Sequence, residues 1–190
     1  MKKSFILLST IAASVLLSCN NQPADPVETA DSTNEVKQEQ APVESKTQEN
    51  TSEFLVKAAD GGMAEVEAGK LGEQKATQKS VKDFAAMMVK DHTGANAEVK
   101  ALATKLNVTL PTGPSEEHTK KATDLSEKKP TDFDKDFMDM MVSDHKKTID
   151  LFKDASDDDI NAEVKTFINN TLPKLQSHLE NAESIRKALK

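Results

Sequence analysis

The stretch Met87-Met88-Val89-Lys90-Asp91-His92 returns, with one substitution, as Met140-Met141-Val142-Ser143-Asp144-His145, at an offset of 53 residues. Phe84 stands eight residues before the first histidine and Phe137 eight before the second, so one helix pattern is used twice. Around the first copy, Val81, Phe84, Ala85, Met88, His92, Ala95, Val99, Leu102 and Leu106 recur at three- and four-residue spacing, which predicts a helix from about Ser80, as N-cap, to Leu106. Around the second, Phe133, Phe137, Met141, His145, Ile149 and Phe152 do the same after Pro130, with Thr131 or Asp132 as N-cap. In both helices the histidine lies within the apolar stripe.

Two more helices flank this pair. Upstream, Phe54, Ala58, Gly61, Ala68 and Gly72 mark a helix from Ser52 to about Thr77, and Glu65 falls inside its stripe. Gly61 and Gly62 each weaken a helix by roughly 1 kcal/mol relative to alanine, so they predict a close helix approach or a bend. Downstream, Ile160, Val164, Phe167, Ile168, Leu175, His178, Leu179, Ala182 and Ile185 mark a helix from about Asp158 to Leu189, with a kink expected at Pro173. Between the two copies, Pro111, Gly113 and Pro114 break the chain, and a polar helix from Glu116 to Glu127 crosses to the other end. Residues 51–190 offer no strand pattern. The fold class is therefore all-α: an antiparallel four-helix bundle with a short crossover helix between its second and third long helices.

The N-terminal region reads as address rather than fold. Lys2 and Lys3 precede an apolar run, Phe5 to Leu17, too short to span a bilayer comfortably, which identifies residues 1–18 as a signal segment. Leu16-Leu17-Ser18-Cys19 resembles the lipobox of bacterial lipoproteins, which implies cleavage before Cys19, acylation there, and a durable membrane anchor. Cys19 is the only cysteine, so no internal disulfide is available. Residues 20–50 hold seven acids, three prolines and no Leu, Ile, Phe or Met, the composition of a disordered tether from Cys19 to residue 50. Residues 51–190 then form the folded domain. Without Lys2 and Lys3, 23 of the 25 basic residues remain against 32 acidic ones, a formal charge of −9 that argues against nucleic acid and against docking on anionic lipid.

Glu65, His92, His145 and His178 all face inward near the middle of their helices, so an up-down bundle brings them to one layer. Imidazole and carboxylate are ligands for zinc, copper and iron, and these four would complete a four-coordinate site. Met88 and Met141 lie one turn before His92 and His145, and thioethers would favour Cu(I). Against this, methionine at helical spacing is ordinarily core filler, and a lone inward histidine is more often a hydrogen-bonded core residue. Asp91 and Asp144, about 100° round the helix from their histidines, are placed to orient a neighbouring helix's histidine or to lie solvated. His118, in the polar crossover, reads as exposed. No Gly-x-Ser-x-Gly motif or phosphate-cradling glycine loop is present, so nucleophilic catalysis is weakly supported.

Gly61-Gly62-Met63-Ala64-Glu65, Val81-Lys82-Asp83-Phe84, the two histidine copies, Phe133-Asp134 and Leu172-Pro173-x-Leu175-x-x-His178-Leu179 together resemble the bacterial envelope family called domain of unknown function 4142. The resemblance covers nearly all of residues 51–190. It implies a ferritin-like four-helix bundle, exported and associated with the outer membrane, facing periplasm or cell surface, with no agreed activity. Glu-x-x-His, the mark of ferritin-like di-iron centres, occurs at none of the four histidines. The expectation is thus a lipid-anchored, non-enzymatic bundle that binds a transition metal, or senses envelope stress, through a layer of Glu65, His92, His145 and His178. The alternatives are a structural or partner-binding bundle without metal, and a metalloenzyme.

Overall fold

The computed structural model describes residues 24–40 and 46–189. These form six helices, α1 (Pro26–Glu39), α2 (Lys46–Lys75), α3 (Lys79–Lys105), α4 (Glu116–Ser126), α5 (Pro130–Asp157) and α6 (Ala162–Ala188), with no strand among the described residues. The signal segment, Cys19 and residues 41–45 of the expected tether lie outside them. No described helix is long and apolar enough to cross a membrane.

Four long helices carry the core, and each of four pairings runs antiparallel. Along α2 and α3, Gly62 faces Asn96, Gly69 faces Val89, and Gly72 faces Ala85. Phe54 meets Phe152 and Glu65 meets His145 between α2 and α5. Lys146 pairs with Glu183 and Phe152 with Phe167 between α5 and α6, while Asp91–His178 and Lys105–Glu163 join α3 to α6. α3 and α5 therefore run in the same direction, which requires the connection between them to travel the length of the molecule. The Asn107–Ser115 loop and α4 make that crossing, and Asn107 turns the chain with φ of 56°.

The glycines of α2 explain how α3 comes so close. A Cβ on Gly72 would stand 2.8 Å from Ala85 Cβ, and one on Gly69 3.1 Å from the Ala85 carbonyl oxygen. Of the pair predicted to permit close approach, Gly62 does so: a Cβ there would meet Asn96 Oδ1 at 2.0 Å. Gly61 does not, since nothing lies within 4 Å of a Cβ built on it. Both lie inside an unbroken α2, and α6 likewise continues through Pro173.

The helix ends differ from expectation in instructive ways. The N-cap of α3 is Gln78, which makes no side-chain capping bond; Asp134 of α5, buried, accepts from the Thr77 and Gln78 backbone N–H groups at 2.9 and 2.8 Å and from the Thr77 hydroxyl at 2.7 Å. Lys129 rather than Thr131 or Asp132 is the N-cap of α5, because Pro130 at the first helical position has no N–H to satisfy. Asn161 caps α6, accepting from the N–H groups of Glu163 and Val164.

The disordered-tether expectation is corrected for residues 26–39, and α2 starts at Lys46, inside the segment assigned to the tether. Asp25 caps α1 with Pro26 at its first position, and Ala30 and Asn34 are buried. Asn34 Nδ2 donates to the Thr109 carbonyl at 2.9 Å, the Thr109 N–H donates back to Asn34 Oδ1 at 2.7 Å, and Lys37 Nζ donates to the Asn107 carbonyl at 3.0 Å. α1 is ordered by satisfying the polar backbone of an irregular loop, which a count of apolar residues does not register.

The core divides in two. One apolar cluster gathers Phe54–Ala59, Val99–Ala103, Ile149–Ala155 and Ile160–Leu175; the other gathers Ala68–Ala76, Val81–Met88, Phe133–Met141 and Ala182. In every long helix the polar position, 65, 92, 145 or 178, falls between the two clusters, so a single polar layer separates them.

Candidate metal centre

Each member of that layer comes from a different helix: Glu65 from α2, His92 from α3, His145 from α5 and His178 from α6. All four are buried, His145 completely. The imidazole centroids form a nearly equilateral triangle, 5.6 Å from His92 to His145, 5.5 Å from His92 to His178 and 5.6 Å from His145 to His178. One ring nitrogen from each lies within 4.8 Å of the others.

The hydrogen bonds define which nitrogens are free. His92 Nδ1 lies 2.9 Å from Glu65 Oε2, His145 Nδ1 lies 2.9 Å from the Met141 carbonyl oxygen, and His178 Nε2 lies 3.1 Å from Asp91 Oδ2. Each of these partners is an acceptor, so each of those nitrogens carries its proton as the donor. The opposite nitrogens, His92 Nε2, His145 Nε2 and His178 Nδ1, are buried with no hydrogen-bond partner. Three ring nitrogens enclosed in a core without partners are costly unless something binds them. A second nitrogen held by a carboxylate or carbonyl, fixing tautomer and ring orientation, is the arrangement that prepares a histidine for a metal ion.

Glu65 joins the layer from outside the triangle. Its Oε2 takes His92 Nδ1, its Oε1 lies 3.4 Å from His145 Nδ1 and is otherwise unpartnered, and it is absent from the group of convergent ligand atoms. Burial pushes its carboxyl up, but the three imidazoles beside it, His92 foremost, together outweigh burial and hold it below the usual carboxylate range. Burial likewise pushes His92 down, and Glu65 brings it above the ordinary histidine value. For His145 and His178 burial prevails and both are lowered, which favours the neutral imidazole that binds metals.

The other sequence candidates separate clearly. Met88 and Met141 are fully buried in the apolar cluster beside the layer, and Met141 reaches it through its backbone carbonyl. Asp91 orients His178, as its helical offset allowed. Asp144 serves no histidine of the layer; it lies 3.6 Å from Lys121 Nζ. His118 is not exposed: its Nδ1 pairs with Asp60 Oδ2 at 3.1 Å, and donating that hydrogen bond to Asp60 raises it. Asp60 and the Met141 carbonyl are the contributors that sequence reading missed. A backbone acceptor carries no residue signature, and Asp60 lies at the edge of the α2 stripe, where a solvated acid is the ordinary reading.

The family model described as domain of unknown function (DUF4142) matches residues 36–185, and the chain belongs to that family. No curated protein matches the chain. Among solved structures, a DUF305 fragment from Deinococcus radiodurans is similar in fold, with a TM-score of 0.66 at 13% identity over 74% of this chain and 97% of that one.

Proposed function

We propose that this member of the DUF4142 family binds one transition-metal ion through His92 Nε2, His145 Nε2 and His178 Nδ1. The observation that carries the reading is that the three buried nitrogens without partners belong to the three histidines that converge. The ligand set is narrower than the four-residue set expected from sequence: Glu65 acts with Asp91 and the Met141 carbonyl as an orienting partner. Two carboxylates held against the ligand imidazoles balance a divalent charge, and an all-nitrogen set suits Zn²⁺ or Cu²⁺ better than oxygen-seeking Mg²⁺ or Ca²⁺. Cu(I) would draw on Met88 and Met141, whose side chains belong to the apolar cluster. Iron is less well matched, for want of a carboxylate in the inner set.

We read the scaffold as an antiparallel, ferritin-like four-helix bundle, on the support of the four pairings and the lengthwise crossover. Lipid on Cys19 would tether it to an envelope membrane, most consistently the outer membrane facing periplasm or surface; the support is the lipobox-like Leu16-Leu17-Ser18-Cys19. The alternative, a metal-free structural or partner-binding bundle, has in its favour the Glu65–His92 pair, which can fix helix register unaided.

Mass-spectrometric metal analysis of the mature chain, purified without an affinity tag, decides between them. The expected result is close to one Zn²⁺ or Cu²⁺ per chain, lost in His145→Ala. No metal after soaking with either ion, together with an unchanged melting temperature, would overturn the metal reading.

A further inference from the structure

Two cavities approach the centre from the same side. The outer one, about 300 Å³, lies between α2, α4 and α5, with Asp60, Glu117, His118, Lys121 and Asp144 among its walls. The inner one, about 40 Å³, lies among α2, α3, α5 and α6 and reaches Glu65 and His92. That exceeds the roughly 10–15 Å³ a water molecule needs. Lys57, Gly61, Glu65, Thr148 and Leu151 line both, so the two volumes adjoin there. Gly61 is the one of these with no side chain, and a Cβ built on it meets open space, in contrast to Gly62 beside it.

Resting on the metal reading of the triangle, we propose that these cavities form one passage by which a hydrated divalent ion reaches the three histidines, with Gly61 keeping its neck open. An ion losing water in a buried channel needs a compensating charge on the way. Glu65 supplies it: the carboxylate lines both cavities, and its Oε1 has no hydrogen-bond partner. Glu65 thus takes the ion at the neck, beside His92, on its way to the three free histidine nitrogens. This accounts for a glycine in mid-helix that relieves no helix–helix contact.

The test is the rate of loading of chelator-stripped full-length mature protein with Co²⁺, followed in stopped flow by the visible absorption of the bound ion. Gly61→Leu places a branched side chain in the neck; it should slow loading at least tenfold while the Co²⁺ stoichiometry and equilibrium affinity stay within about twofold of wild type. Gly61→Ala should load nearly as fast as wild type. Thr148→Leu narrows the neck from α5 and should slow loading as well, which keeps the test decisive if Gly61→Leu folds poorly. Wild-type rates in a folded Gly61→Leu or Thr148→Leu protein would overturn the passage and leave the metal site standing. Failure of the wild type to take up Co²⁺ at equilibrium would overturn both.

Discussion

At the scale of single residues, the centre depends on which nitrogen each histidine presents, and that is settled one atom away from the ligands. Glu65→Gln keeps an acceptor for His92 Nδ1 but removes the charge, and Asp91→Asn does the same for His178 Nε2. Each should weaken Zn²⁺ binding by about 10–100-fold, the usual effect of altering an orienting partner. His145→Ala, which deletes a ligand, should abolish stoichiometric binding. Competition with a chromophoric chelator measures all three, and equal losses in all three variants would contradict the division into ligands and orienting groups. The sequence revealed the three histidines because each interrupts an apolar stripe. It could not reveal Glu65's role, since an inward carboxylate looks the same whether it faces a metal or a ring nitrogen.

At the scale of elements, α2 carries glycines of two kinds, and equivalent substitutions should separate them. Gly72→Ala pushes a methyl against Ala85 Cβ and the Phe137 ring, at 2.8 and 2.9 Å, in a packed core, and should destabilise the protein by about 1–3 kcal/mol. Gly61→Ala meets no atom and should stabilise by about 0.5–1 kcal/mol through helix propensity alone. Denaturant unfolding of both variants checks the contrast. Helix periodicity located α3 to α6 to within a few residues because each long helix shows one apolar face, but it began α2 at Ser52 where the helix starts at Lys46. It missed α1, whose attachment includes Asn34 and Lys37 bonding loop backbone 70 or more residues away, Gln38 bonding Ser52, and the Asp25 carboxylate accepting from the Glu116 N–H. It also missed the cap of α3, which comes from Asp134 on another helix.

α4 gives a second test at this scale, through the pH dependence of its fastening. Its first turn is fixed by His118 against Asp60, with Lys121 opposing and Asp144 supporting the histidine charge across the cavity. His118 is raised in the folded protein, so the pair's contribution is fully present below the ordinary histidine value of about 6.5. It is lost as pH rises through the higher folded value. Asp60, burial notwithstanding, is lowered by its bonds to His118 and Ser115, so the same contribution fades again as pH falls through its depressed value. The stability difference between wild type and His118→Gln should therefore be largest in mildly acidic solution and shrink toward alkaline pH. A difference independent of pH would show that the pair does not hold α4.

At the scale of the whole molecule, the polar layer is where all four long helices meet through polar groups. A divalent ion there binds α3, α5 and α6 directly and α2 through Glu65, so it joins both halves of the chain on either side of the crossover. The unfolded chain has no such site, and binding energy becomes folding energy. Free Zn²⁺ at 100 times its dissociation constant should add about 2.7 kcal/mol of stability. For a chain of this size each kilocalorie raises the melting temperature by about 2–4 °C, so a rise of roughly 5–11 °C is expected by calorimetry. The rise should grow with the logarithm of free Zn²⁺ and vanish in His145→Ala. It should persist in Gly61→Leu after long equilibration, because closing the neck changes the rate of entry and not the bound state. A metal-free layer that only sets helix register predicts instead a melting temperature indifferent to Zn²⁺ and lowered by His145→Ala alone.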